Sequence, residues 1–331
     1  MPTLEKSEKS LTVSILGRRG QAARHIDLIN ENTGVTLQHV FHPQPTGMQI
    51  KNSPQLPITE IFDNCKESDA IVISSPTSEH FSQLIDLSDY PGYILVEKPA
   101  VNNIDHILPL IGFSESRKTR IKVNFNFQFN PIAKALSDIL DNRILGIPIH
   151  ATFETNHGAA FKLDWINSWR STDRFSGPIF TVGIHYVQWL LKKMGNPTTT
   201  SLDTASFTST KAHDSGTLQL KWDNGFSASV ITSYASAFKV NFQITGTNGY
   251  VTYDGENLRL FSPRDTFDRS GNFATPPKKN LLTLLWADAY AISLKQSQTD
   301  FFSYVQNKKP IPVSEFDQDV QCITSLINNL E

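Results

Sequence analysis

Several short stretches of this sequence carry residue types that could do chemistry. The first is Gly17-Arg18-Arg19-Gly20-Gln21-Ala22. A glycine-bearing turn between a strand and a helix lets the backbone approach a diphosphate, which then sits on the helix N-terminus. Read as G-x-G-x-x-G/A, Gly17 and Ala22 fill the outer positions and Arg19 replaces the middle glycine. The same residues also fit a plain strand-to-helix turn. A carboxylate about 20 residues on normally holds the ribose hydroxyls of NAD. Here Phe41-His42-Pro43 occupies that place, so His42, with Arg18 and Arg19, faces either ribose hydroxyls or a 2′-phosphate, or forms a surface turn. Ser74-Ser75-Pro76-Thr77-Ser78-Glu79-His80 is a polar turn after an apolar run. Glu97-Lys98-Pro99-Ala100 ends another such run with an acid and a lysine. Such a lysine can hydrogen-bond a substrate hydroxyl and tune its pKa, or can simply be solvated. Gly183-Ile184-His185 opens a strongly apolar helical stretch. An imidazole there can move a proton near pH 7, or can be a satisfied core histidine.

The elements that position these residues follow from hydrophobic patterning. Continuous apolar runs at 11–16, 35–41, 70–74, 93–97 and 121–125 read as strands. Helical segments at 21–31, 58–65, 78–87 and 104–113 alternate with them. This is the pattern of a parallel sheet covered on both faces. Beyond a helix at 131–141 the pattern changes to alternating strands at 149–155, 201–211, 216–222, 226–234, 238–245, 250–253 and 258–261. Asp223-Asn224-Gly225, Thr247-Asn248-Gly249 and Asp254-Gly255 read as hairpin turns. Helices are expected at 181–194, 281–306 and 317–330, with a loop over 261–280. The fold class is therefore α/β: a doubly wound parallel sheet of the Rossmann type over 1–125, then an α/β domain with a large open, mostly antiparallel sheet over 126–331. The last helices are expected to pack back on the first domain.

Composition narrows the function classes. The chain has 331 residues, enough for two domains at about 150 each. Its 30 basic and 32 acidic residues leave a net charge of −2, without the basic footprint of a nucleic-acid binder. Hydrophobic residues make up 39%, so a sizeable core is available and bulk disorder is excluded. The cysteines, Cys65 and Cys322, form no disulfide framework and suit a reducing cytoplasm. No apolar run reaches the roughly 20 residues that span a bilayer, and residues 1–10 lack the apolar centre of a signal peptide.

In this order the pieces resemble the Gfo/Idh/MocA family of NAD(P)-dependent oxidoreductases. The run from Gly17 to Arg24-His25 is one match. Ser75-Pro76-Thr77-Ser78-Glu79-His80 looks like the family's TPTxxH segment, and Glu97-Lys98-Pro99 like its EKP. Phe125-Asn126 through Phe129-Asn130-Pro131, and Trp169-Arg170 followed by Gly183-Ile184-His185, complete the set. The resemblance implies oxidation of a secondary alcohol of a sugar or sugar nucleotide, in a setting such as polysaccharide precursor synthesis, with NAD ranked before NADP. It implies cofactor contacts from Gly17, Arg18, Arg19, Gly20, Gln21, Ala22, His42, Ser75, Pro76, Thr77, His80, Glu97, Lys98 and Asn126. It implies Lys98 as the partner of the reacting hydroxyl and His185 as acid/base. The acid frequent four residues before that histidine is replaced by Thr181, which either joins the catalysis or only positions substrate. Residues 156–173 are similar to members acting on UDP-activated amino-sugar acids. Lys162, Trp165, Trp169 and Arg170, with Gln128, are the substrate contacts so implied; both tryptophans also suit core packing. A homo-oligomer, dimer or tetramer, built on the open sheet is expected, and no metal. The competing reading is a catalytically weak member that binds nucleotide or sugar as a sensor.

Overall fold

The computed structural model describes residues 10–43, 58–163, 165–172, 174–208, 212–264 and 267–327. The expectation for residues 1–10 therefore falls almost wholly outside the described residues. Two compact units emerge. The first takes the chain up to Val101, Asp105–Asn124 and Gln298–Val320; the second takes Asn102–Ile104, Phe125–Ser297 and the chain from Gln321.

The first unit is a six-stranded parallel sheet. In chain order its elements are β1 (Leu11–Leu16), α1 (Gln21–Asn30), β2 (Val35–Phe41), β3 (Ile58–Thr59), β4 (Ala70–Ile73), α2 (Thr77–Asp86), β5 (Tyr93–Glu97), α3 (Ile107–Ile111), α4 (Glu115–Lys118) and β6 (Ile121–Asn124). The strand order is β3-β2-β1-β4-β5-β6. It reverses between β1 and β4, the switch point at which open α/β sheets bind ligands. Register levels the carboxyl ends there: Leu16 pairs with Ile73, Ile73 with Val96, and Glu97 with Asn124. Gly17, Ser74 and Glu97 thus leave the sheet in one row. Ile26 and Ile29 of α1 pack on Val13, Ile15, Val35 and Val40, together with Phe301 and Phe302 from late in the chain. All four residues of β4 are buried, as a strand covered on both faces must be.

The second unit carries α5 (Pro131–Asp141), β7 (Pro148–Asn156), α6 (Trp169–Thr172), α7 (Ile184–Met194), β8 (Thr199–Ala205), β9 (Ser215–Lys221), β10 (Ser227–Ser233), β11 (Lys239–Gly246), β12 (Gly249–Tyr253), β13 (Asn257–Phe261) and β14 (Lys278–Thr283). The chain closes with α8 (Trp286–Gln306), α9 (Val313–Gln321) and α10 (Thr324–Ile327), and crosses back to the first unit within α8. The eight-stranded sheet runs β14-β13-β12-β11-β7-β10-β9-β8. Only β7 and β10 pair in parallel; the other ladders are antiparallel. Asn130 starts α5 by accepting from Ile132 N at 2.8 Å, with Pro131 at the first helical position. The inner sheet face packs an aromatic cluster in which Phe153 stacks on Tyr186 at 5.3 Å and Phe127 meets Phe242 edge-on. Along β10 the inner row is Ala228, Val230 and Thr232; the outer row is Ser227, Ser229, Ile231 and Ser233. Ile231 is the one apolar residue of that outer row.

The structure corrects five element assignments. Residues 58–65 form no α-helix: Ile58 and Thr59 pair with Val40 and Phe41, and a 3₁₀ turn follows at Phe62–Glu67. Thr59 Oγ1 accepts from Ile61 N and Asn64 Nδ2, bending the chain away from a helix. The helix expected over 104–113 splits into a 3₁₀ turn, Ile104–His106, and α3. The helix expected from 281 starts at Trp286, because Lys278–Thr283 completes the sheet beside β13 and Leu284 N donates to Glu256 O. The segment expected over 317–330 begins earlier, at Val313, and breaks after Gln321; residues 328–330 lie outside the described ones. The strand expected over 201–211 ends at Ala205, and 209–211 also lie outside.

Candidate active site

In the first unit, Gly17 has φ +114°, a region open to glycine alone, and a Cβ built there would stand 2.5 Å from Ser74 O. This close crossing is why the turn after β1 must begin with glycine. Gly20, at φ +60°, leads into α1, whose first turn carries no acid and no side-chain cap. Ala22 N donates to Arg19 O, and the positive end of the helix dipole favours an anion at this terminus. Ala22 is fully buried in the core, where only a small residue lets helix and sheet approach. Gln21 accepts from Arg24 at 2.8 Å. Arg18 is half-buried and Arg19 exposed. His42 follows β2 and donates its backbone N–H to Thr59 O; residues 44–57 after it are outside the described ones.

Along the same sheet edge, Ser75 Oγ donates to Gln83 at 2.7 Å, Pro76 precedes α2, and Thr77 is buried. His80 places Nδ1 2.8 Å from Pro99 O and Nε2 3.1 Å from Ser75 O. Burial holds its pKa below the usual histidine value, against the pull of those carbonyls and of Glu97. His80 thus ties the turn after β4 to the turn after β5. Glu97 is buried too. Its Oε1 accepts from Asn124 Nδ2 at 2.6 Å and lies 2.8 Å from His25 Nε2. Burial pushes this carboxyl up, but the His25 hydrogen bond, the charge of Lys98 and the Asn124 amide bring it below the ordinary carboxylate range. Lys98, half-buried, is the next residue along the chain.

In the second unit a π-helical turn, Ile179–Gly183, precedes α7. Such turns recur at functional sites because they re-aim side chains. His185 follows on the first turn of α7, half-buried, with its ring edge-on to Phe125 at 5.9 Å. Thr181 sits inside the π turn. Its hydroxyl donates to Gly177 O at 3.0 Å and pairs closely with the Tyr234 hydroxyl. Tyr234 is buried, edge-on to Trp165 at 5.4 Å, and 4.6 Å from the His157 ring. Arg170 hydrogen-bonds the Tyr234 phenol. Burial, then the charges of Arg170 and Lys162, depress the His157 pKa. Trp165 is 5% exposed, and its indole Nε1 has no partner among the described residues. Lys162 is exposed. The side chain of Trp169 lies outside the described ones. Asn126 donates to Ser293 at 2.8 Å, and Gln128 accepts from Lys192 at 3.2 Å.

The expected residues therefore divide into two sets. Gly17, Ser75, His80, Glu97 and Lys98 share one sheet edge; Thr181, Trp165 and Arg170 meet around Tyr234. Sequence reasoning missed Tyr234 and His157. They stand where the parallel pair β10 and β7 ends, and only the pairing of those strands reveals it. It also missed Gln298 behind Glu97.

Comparison with known proteins places these units. Residues 133–252 match the model of the GFO/IDH/MocA C-terminal domain. YceM of Salmonella typhimurium, named as an oxidoreductase, is 25% identical over 131 residues, covering 39% of this chain and 43% of its own. YrbE of Bacillus subtilis, also named as an oxidoreductase, is 24% identical over 195 residues, 56% and 55% of the two chains. The chain thus spans about half the length of the curated relatives it matches. The fold matches myo-inositol dehydrogenase from Corynebacterium glutamicum with a TM-score of 0.76 at 17% identity, over 97% of this chain and 96% of that one. It matches GenD2 of gentamicin A biosynthesis, solved with NAD, with a TM-score of 0.76 at 15% identity, over 99% and 96%. Among the described residues no helix is long and apolar enough to cross a membrane.

Proposed function

From a chain whose residues 133–252 belong to the GFO/IDH/MocA C-terminal domain family, we infer an NAD(P)-dependent oxidoreductase. Its reaction moves a hydride between the nicotinamide and a secondary hydroxyl or ketone of a sugar or sugar nucleotide. The observation that carries this reading is the row of Gly17, Ser74 and Glu97 at the switch point, beside the uncapped start of α1. The turn is compatible with a dinucleotide: Gly17 allows its close crossing of Ser74, and Gly20, with nothing within 4 Å of a Cβ built on it, leaves open space beside the start of α1. Gly17 to Ala22 would hold the diphosphate, His42 the adenosine ribose, and Ser75 to Thr77 and Asn126 the remainder. Bound there, the nicotinamide supplies the hydride acceptor or donor.

The protein's own part is proton handling and orientation. Lys98 hydrogen-bonds the reacting oxygen and favours its alkoxide character. His185 takes or returns the proton. Thr181 has its hydroxyl engaged by Gly177 O and Tyr234, so it holds the turn before His185 rather than moving a proton. Lys162, Trp165, Trp169, Arg170 and Gln128 are assigned to the rest of the substrate. The sheet of the second unit is assigned to self-association. The same engagement of Thr181 favours the second reading, a nucleotide- or sugar-binding protein with weak turnover.

A screen of UDP-sugars and free polyols by nicotinamide fluorescence separates the two. Lys98→Ala and His185→Ala should each lower turnover by about 10²–10⁴-fold while cofactor affinity stays near wild type. Near wild-type turnover in either variant refutes the assignment, and binding of ligand with no turnover in the parent protein supports the second reading.

A further inference from the structure

Behind Glu97 the first unit buries a chain of polar side chains with fixed hydrogen-bond directions. Gln298, on α8, places Nε2 3.0 Å from His25 Nδ1 and 3.3 Å from His25 O. His25, fully buried on α1, places Nε2 2.8 Å from Glu97 Oε1. Asn124, on β6, donates to the same oxygen. Gln298, Asn124 and Glu97 are buried as well, so none of these contacts is shared with bulk water.

The directions follow from donor chemistry. A primary amide nitrogen only donates, so His25 Nδ1 must accept and carry a lone pair. The reverse setting of the amide would bring its oxygen to 3.3 Å from the carbonyl oxygen of His25, two acceptors facing each other. The proton of His25 is therefore on Nε2, where it is donated to Glu97. Glu97 Oε1 then receives donors from His25 and Asn124, an arrangement that favours the carboxylate over the carboxylic acid.

We propose that Gln298 is a positioning residue of the active site: by pinning His25 as its neutral Nε2–H tautomer, it keeps Glu97 a charged carboxylate held in one orientation immediately before Lys98. This rests on the reading of Lys98 as the group at the reacting oxygen. The alternative state, an imidazolium at His25, would require the Gln298 amide to turn its oxygen to Nδ1, and would set that amide's oxygen against His25 O where its nitrogen now donates. A sequence separation of 273 residues joins α8 to α1 through this amide. The return of the chain to the first unit within α8 thus carries a chemical role besides packing Phe301 and Phe302.

The test begins with the tautomer in the full chain, labelled with ¹⁵N-histidine at pH 7, and with His25 assigned by its loss in His25→Gln. The expected spectrum shows a single proton on Nε2. Gln298→Glu keeps the shape and exchanges the donor for an acceptor; it should place a proton on Nδ1 as well. Gln298→Glu and Gln298→Leu should each lower kcat about tenfold while the dissociation constant for NADH moves less than about twofold. A wild-type His25 protonated on Nδ1 overturns the proposal, as does a Gln298→Glu protein whose Nδ1 stays bare. Unchanged kcat with an altered tautomer overturns the positioning role. The wild-type spectrum needs neither substrate nor variant, so it decides the tautomer even if no turnover is found or a variant fails to fold.

Discussion

Alanine at Gly17 and at Gly20 should have different costs, and the difference is set by the neighbouring strand. Both residues have positive φ, +114° and +60°. An L-residue held in a sparsely populated positive-φ region costs roughly 1–3 kcal/mol, offset by about 0.4–1 kcal/mol from a less flexible unfolded chain. For Gly20 that is the whole effect, because nothing lies within 4 Å of its Cβ. At Gly17 the new methyl meets Ser74 O at 2.5 Å, Ser74 C at 2.8 Å and Ser75 N at 3.0 Å. These are main-chain atoms of the strand end itself and cannot rotate away. Relief requires separating the ends of β1 and β4, an overpacking strain of about 1–3 kcal/mol. Gly17→Ala should thus be about 2–4 kcal/mol less stable than wild type and Gly20→Ala about 1 kcal/mol less. Guanidinium unfolding followed by circular dichroism measures both, and NADH fluorescence titration reads the loop. Gly17→Ala should lose at least tenfold in affinity, about 1.4 kcal/mol. Equal stabilities for the two variants, or unchanged NADH affinity in Gly17→Ala, would refute the close-crossing argument.

Further expectations concern pH, cofactor and assembly. His80 is held below its ordinary pKa by burial, so unfolding takes up a proton once the pH falls below about 6.5. Stability is full above that value and drops toward the folded pKa, by up to about 1.4 kcal/mol per pH unit. His80→Gln should flatten this slope in denaturant midpoints from pH 7 to 5, and an unchanged slope contradicts it. Glu97, also depressed in the fold, adds a second loss as pH falls below about 4.3, which Glu97→Gln should remove. Without a carboxylate at His42 to repel a 2′-phosphate, and with Arg18 and Arg19 in the adjacent loop, NADPH should bind within about tenfold of NADH. A larger preference for NADH would show that the missing acid does not govern selection. Light scattering should report a dimer or tetramer at micromolar concentration; a monomer refutes self-association through the sheet.

The sequence by itself determined what depends on neighbours in the chain. Continuous apolar runs marked β1, β4 and β5 because a strand covered on both faces has no polar side. Asn224-Gly225 marked its hairpin, where Asn224 Oδ1 accepts from Phe226 N, because that hydrogen bond closes within a few residues. The places of Gly17 and Lys98 just after strands and of His185 at the start of a helix were legible because each follows or opens a recognisable element. Tertiary structure alone decided the rest. Leu281 and Leu282 read as helix and became strand because β13 offered an open edge to pair with. Thr181 looked like a vacant acid position until Tyr234, fifty-three residues on, closed on its hydroxyl. The directions of the Gln298–His25–Glu97 chain exist only because α8, α1 and β5 are packed against each other. A side chain's hydrogen-bonding role is set by the partner it meets, and no local pattern records a partner 273 residues away.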